Sequence, residues 1–293
     1  MLKGDFEAAW KFSDQVLESR KDVPCWHLPR HQQYIWNGSS LAGKRVLIRC
    51  YHGLGDTIQF IRYAPLIKSI AKQVIVWAQE PLIPLLKTVE GIDLILPLHD
   101  GAPDVQYDVD VEVMELPFIF RTSLDTVPND VPYIHVQPKN VLTKSQKPIV
   151  GLVWKVGNWG ESRSIHFKHL LPLFDCTSCE LVILQSDPKN AGWSEGYGYY
   201  PGAFSLYDFA CVIRSLDLLV CVDSMPVHVA GAQNVPVWVM LERYADWRWM
   251  EDRDDSPWYP SARLFRQPQE GDWDAIVQNV MVELNSFVAQ QTD

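Results

Sequence analysis

Residues 45–63 constrain the fold more than any other stretch. They read Arg-Val-Leu-Ile-Arg-Cys-Tyr-His-Gly-Leu-Gly-Asp-Thr-Ile-Gln-Phe-Ile-Arg-Tyr. An apolar, β-prone run stops at a glycine turn and opens directly into a helical pattern. Strand, tight turn and helix in that order form the unit of an α/β fold, with backbone N–H groups of the helix start pointing at a ligand. Such sheets bind their ligands at the carboxyl ends of the strands. Asp56, in the first helical turn, is therefore the first candidate for chemistry, and Gly53 and Gly55 strip the turn around it of side chains. An acid here is equally at home as a helix cap. Cap and general base use the same geometry, and the sequence leaves both open.

The same alternation runs through the chain. Strand patterns at 45–51, 73–78, 93–97 and 108–113 are separated by helical patterns at 56–71 and 81–89, and Tyr133-Ile134-His135-Val136 closes this half. The Asp-Val-Asp-Val-Glu-Val run of 108–113 has the period of a half-exposed strand. After a polar linker at 137–147, strand patterns at 148–154, 180–185, 218–223 and 235–241 alternate with helices near 166–174, 206–215 and 225–233. The expectation is two Rossmann-like domains, 45–140 and 148–272, facing each other across a cleft. An amphipathic helix within 4–20 and an irregular lead-in of 24–44 make up an N-terminal segment, 1–44, and a final helix occupies 273–293.

Composition removes several classes of function. A net charge of −10 over 293 residues argues against a general nucleic-acid binder. No run reaches the roughly 18 apolar residues of a membrane helix, and the N-terminus lacks a signal-peptide layout. Six scattered cysteines read as reduced thiols of a cytoplasmic protein. Cys176 and Cys179 have metal-knuckle spacing, but no second pair completes four ligands, so no metal site is expected. Gly53-Leu54-Gly55 lacks the third glycine of the dinucleotide fingerprint, because Ile58 stands at its place.

Three further constellations carry polar chemistry. The run 218–232 is a buried strand ending in Asp223-Ser224, followed by a helix start with Pro226 near its first turn. That start is an anion site by geometry, suited to a diphosphate. His228 lies four residues past Ser224, on the same side of the helix. In 151–165 a strand runs into a loop carrying Lys155 and Arg163, two cations suited to a phosphate-bearing ligand. In 246–260, Asp246-Trp247-Arg248-Trp249 and Trp258-Tyr259-Pro260 either line the cleft or tie down a long loop.

Taken together, Gly-Leu-Gly-Asp-Thr-Ile-Gln-Phe with Arg62-Tyr63, Gly-Leu-Val-Trp, Arg163-Ser-Ile, Asp223-Ser with His228-Val-Ala-Gly-Ala, and Asp246-Trp-Arg-Trp with Asp255-Ser-Pro-Trp-Tyr-Pro resemble the heptosyltransferase-like glycosyltransferases of family 9, in the form often found behind tetratricopeptide repeats. The resemblance covers about residues 35–290, and 4–20 resembles the tail of such a repeat array. It implies an α/β, GT-B fold and an inverting, metal-independent glycosyltransferase of bacterial type. A nucleotide-sugar would be co-substrate, no resident cofactor would be needed, and the acceptor would be a glycan, lipid-linked or protein hydroxyl. Asp56 falls at the catalytic base, with Gly53, Gly55, Thr57 and Gln59 on the acceptor side. Trp154, Lys155, Asn158, Arg163, Gln185, Asp223, Ser224, Met225 and His228 fall in the donor half. The rival reading is a GT-B domain without turnover that serves as a binding or scaffolding module, its repeat-like N-terminus recruiting a protein partner.

Overall fold

The structure is a computed structural model that describes residues 1–20, 23–142, 146–157 and 160–292. The chain divides into two compact units, Met1–His135 and Val136–Asp293.

The first unit contains α1 (Phe6–Arg20), β1 (Arg45–Arg49), α2 (Leu54–Phe60), α3 (Ala64–Ile70), β2 (Gln73–Ala78), α4 (Ile83–Leu86), β3 (Leu94–Pro97), β4 (Val109–Glu112) and α5 (Leu116–Ile119). Its four strands are parallel, in the order β3-β2-β1-β4. The chain walks outward from β1 to β3 and then returns to the other side of β1, so the topological switch lies between β1 and β4. Val46, Ile48, Val74 and Val76 are fully buried, as expected of parallel strands covered by their crossovers. The single helix expected over 56–71 is broken instead by a 3-10 turn, Ile61–Tyr63. Pro65 stands at the start of α3 and has no N–H to continue the α ladder. Over 81–89 only α4 is helical in the α sense, and 133–136 forms no strand. Helix α1 belongs to this unit. Phe6 and Trp10, one turn apart, are buried, and the Trp10 indole donates to Thr122 O at 2.7 Å.

The second unit contains β5 (Ile149–Val153), α6 (Phe167–Leu170), β6 (Glu180–Ile183), α7 (Leu206–Ile213), β7 (Leu218–Val222), α8 (Met225–Ala232), β8 (Val237–Leu241), β9 (Ala262–Arg266) and α9 (Trp273–Thr292). Its sheet is also parallel, in the order β6-β5-β7-β8-β9, with the switch between β5 and β7. β9 is an addition to the strands read from sequence. Helix α9 does not stand apart: Ile276, Val277, Val280, Leu284 and Val288 share one core with Val150, Leu152, Trp154 and Val220. The glycine turn leaves the carboxyl end of β1 beside the first switch, and the loops at 155–165 and 223–225 leave the carboxyl ends of β5 and β7 on either side of the second, where open α/β sheets hold ligands.

Candidate active site

In the first unit the glycine turn leaves β1 and enters α2 at Leu54. Asp56 is half-buried, and its Oδ2 accepts from Gly53 N at 3.0 Å, the N3 half of a capping interaction. The carboxylate thus caps its own turn and remains accessible at the strand ends. Gly53 is exposed, Gly55 lies in the first turn of α2, and a side chain at Gly53 would meet Asp56 Oδ2 at 3.1 Å. Thr57 and Gln59, expected on the acceptor side, are fully buried. They face the interior, where α2 packs against the 3-10 turn Val113–Glu115 that follows β4, with Thr57 beside the Cys50 thiol. They form the floor of the turn.

Sequence reasoning missed Glu112, at the end of β4 across the switch. The alternation of 108–113 places it on the polar side of a half-exposed strand, yet it is only 2% exposed. Its Oε2 accepts from Met114 N at 2.6 Å and its Oε1 from Tyr51 N at 3.4 Å, and His52 Nε2 stands 3.7 Å from Oε2. Burial above all, with the charges of Glu115 and Asp56 acting the same way, pushes its pKa up to about 8 against the two backbone donors. The signal available in sequence was the strand end itself, opposite the glycine turn.

In the second unit the loop after β5 and the start of α8 meet. Arg163 Nη1 donates to Asp223 O at 3.1 Å and lies 3.6 Å from Asp223 Oδ2. Gly160, with φ +81°, opens the turn that carries Arg163, and a side chain there would strike the Arg163 Nε at 2.7 Å. Asp223 is 5% exposed. Burial raises its pKa; the Arg163 guanidinium pulls it back, Asp246 pushes it further up, and Trp249 and Arg248 favour the charged form. Ser224 and Met225 are half-buried at the start of α8, and Ser224 Oγ donates to Val222 O at 3.0 Å. The Ser224 hydroxyl makes no side-chain cap to the helix, so the first turn presents backbone donors in the manner of an anion site. His228 is buried; its Nδ1 is 2.9 Å from the Tyr259 hydroxyl and its ring stacks on Trp249 with centroids 6.0 Å apart.

Lys155 is exposed on the loop, and Asn158 lies outside the described residues. Trp154 and Gln185 take a different part from the donor contact expected of them. Trp154 is fully buried in the core and donates its indole N–H to Ala191 O at 2.9 Å. Gln185 Oε1 accepts from Trp154 N at 3.0 Å and Lys155 N at 2.8 Å, while its Nε2 donates to Lys155 O and Ser186 O at 3.2 and 3.1 Å. With every polar atom of its amide engaged, Gln185 is a brace for the loop. The 246–260 segment ties down a long loop. Trp249, Trp258 and Tyr259 are fully buried, and Asp246 caps its own turn through Arg248 N at 3.0 Å. Its contact with His228 and its charge on Asp223 nevertheless make it the inner wall of the constellation around Asp223 and His228.

Among the described residues, no group of three or more His, Cys, Asp or Glu is arranged to hold a metal ion. The Cys176 and Cys179 sulfurs are 3.6 Å apart and buried. Among the described residues no helix is long and apolar enough to cross a membrane.

Comparison with known proteins gives three findings. No family model matches the chain. It is 24% identical over 316 aligned positions to the protein FlbA of Caulobacter vibrioides, an alignment covering 94% of this chain and 52% of FlbA, so the chain spans about half the length of that relative. Among solved structures it superposes on a glycosyl transferase family 9 protein of Veillonella parvula with TM-score 0.61 and 13% identity, covering 86% of this chain and 99% of that one. It superposes on the ADP-heptose LPS heptosyltransferase II of E. coli with TM-score 0.63 and 14% identity, covering 85% and 100%. At these identities the likeness is one of fold, and it agrees with the two parallel sheets and their switch-point loops: the chain has the GT-B-like α/β fold of the family 9 heptosyltransferases.

Proposed function

We propose that the chain is a glycosyltransferase that moves a sugar, of the heptose or hexose class, from a nucleotide-sugar to an acceptor hydroxyl with inversion at the anomeric carbon. The observation that carries this reading is the pairing, at the switch point of the second sheet, of Arg163 with the start of α8 at Ser224. A cation and backbone donors converge there on the place a diphosphate needs them.

In this reading Asp56 accepts the proton of the acceptor hydroxyl. The freed oxygen attacks the anomeric carbon from the face opposite the diphosphate, and the bond from that carbon to the diphosphate oxygen breaks. The negative charge that develops on the departing nucleoside diphosphate falls to Arg163 and the α8 N-terminus, so the charge compensation comes from the protein. The E. coli neighbour is named for ADP-heptose, which makes ADP-heptose the first donor to assay, beside UDP- and GDP-sugars.

Asp56→Asn is the discriminating variant. The amide oxygen of asparagine still accepts from Gly53 N, so the cap survives while the base is removed. The expected result is a loss of transfer of about a hundredfold or more, with the thermal shift on adding donor unchanged. Transfer at the wild-type rate refutes the assignment. A second reading, a GT-B module that binds without turnover, draws on the engagement of Asp56 as a cap. A thermal shift with nucleotide-sugar and no transfer to any acceptor by the wild-type protein is its signature.

A further inference from the structure

Strand β4 ends on a carboxyl that the transfer reading does not use. Glu112 bridges two turns: its Oε1 accepts from Tyr51 N at 3.4 Å at the entry of the glycine turn, while its Oε2 caps the turn that follows β4 through Met114 N at 2.6 Å and lies 3.7 Å from His52 Nε2. Tyr51 and His52, after Cys50, carry the chain from β1 into Gly53. The turn is held from two further directions: Gln79 Nε2 donates to His52 O at 2.6 Å, and Asp56 Oδ2 accepts from Gly53 N. A buried acid is a costly way to fill space, since an apolar side chain of similar volume does so without a desolvation penalty.

We propose that Glu112 is a positioning residue, holding Tyr51 and His52 from the end of β4 so that the Asp56 carboxylate meets the acceptor hydroxyl in one orientation. The inference rests on the transfer reading for the task of Asp56, and on geometry alone for what Glu112 holds. The ionisable groups around Glu112 are Cys50 at the end of β1, His52 and Asp56 on the turn and α2, and Glu115 in the turn after β4. Arg20 of α1 sits on Glu115, at 3.2 Å. Burial above all, with the charges of Glu115 and Asp56 adding to it, keeps the proton on Glu112 up to about pH 8. Above that pH a second negative charge appears beside Asp56, and the hold on the turn changes. The brace therefore carries a pH signature of its own.

Amide NMR on the full chain reads it directly. The Tyr51, His52 and Gly53 amide shifts are followed from about pH 6 to about pH 9.5 in the wild type and in Glu112→Gln, alongside transfer from ADP-heptose. In the wild type the three amides are expected to move together with a midpoint near 8, and in Glu112→Gln this titration is absent. The variant is also expected to lose about tenfold or more in kcat through misorientation of the base, with donor KM within about twofold, and to lose the alkaline fall of the wild-type rate. Wild-type amides that do not titrate near pH 8 overturn the proposal without any variant having to fold. So does a folded Glu112→Gln with the wild-type kcat and pH profile. Amides that titrate as expected in a protein that transfers no sugar uphold the hold of Glu112 on the turn and overturn the transfer reading.

Discussion

Gly231, on the second turn of α8, offers the sharpest test of how the wall around His228 is built. A methyl group there would lie 2.2 Å from Tyr259 Cδ1, 2.4 Å from Cγ and 2.7 Å from Cε1. Carbon atoms in contact stand at about 3.5 Å or more, so Gly231→Ala demands a retreat of about 1.3 Å. The ring has no room to make it: Tyr259 is fully buried and its hydroxyl is held 2.9 Å from His228 Nδ1. Overpacking of this severity costs about 3 kcal/mol, and rupture of the Tyr259–His228 bond adds about 1 kcal/mol. The expected destabilisation is therefore about 4 kcal/mol, a large part of the stability of an ordinary domain. Chemical denaturation followed by tryptophan fluorescence measures it, and a double-mutant cycle with Tyr259→Ala identifies the cause. Removing the ring removes the clash, so the double variant is expected within about 0.5 kcal/mol of Tyr259→Ala alone. A loss below about 1 kcal/mol for Gly231→Ala, or costs that simply add, refutes the reasoning.

The remaining expectations concern charge and loop bracing. Glu112 has its pKa raised from 4.5 to about 8 by burial. Its protonated form therefore stabilises the fold fully below pH 4.5, and that stabilisation is lost as pH rises through 8. At pH 7 the loss amounts to about 3 kcal/mol, so urea denaturation should show a flatter pH dependence for Glu112→Gln; an unchanged slope refutes the assignment. Gln185→Leu leaves the N–H groups of Trp154 and Lys155 without their acceptor. A loss of about 2–4 kcal/mol is expected, read by thermal melting, and a melt within a degree or so of wild type contradicts the brace. Arg163→Ala is expected to weaken ADP binding about ten- to a hundredfold by titration calorimetry, with Arg163→Lys intermediate because a point charge replaces the planar fork. Equal affinity in all three proteins removes Arg163 from the diphosphate site.

The repeating strand–helix order was legible because parallel strands buried on both faces leave long apolar runs, as in 218–222 and 237–241. β9 escaped because Arg263 and Arg266 interrupt its apolar pattern. Their charges are disposed of only in the fold, Arg263 on Glu283 at 2.7 Å and Arg266 on the carbonyls of Trp249 and Arg253. The break in the first-unit helix was written in Pro65, but the apolar spacing across 56–71 masked it. Around the candidate site, the strand-end and helix-start placement of Asp56, Arg163, Asp223 and Ser224 was legible because turn chemistry and strand ends are local properties. The burial of Trp154, Gln185, Thr57 and Gln59 was not legible, since it is decided by what packs on top of them. Glu112 was hidden for the same reason: the period of β4 is right, and only the cover over its last residue turns a polar face into an interior one.

The Gln185 amide has a consequence for how such a chain diversifies. By accepting from two successive N–H groups and donating back to a carbonyl of the same loop, it acts as a side-chain rung added to the β5–β6 ladder. The exit direction of the loop after β5 is thus set at its root by one residue of the neighbouring strand's end, together with the loop's own closure through Ser164 Oγ on Val156 N at 3.2 Å. Substitutions further along the loop can alter which ligand it meets while its anchor point stays fixed.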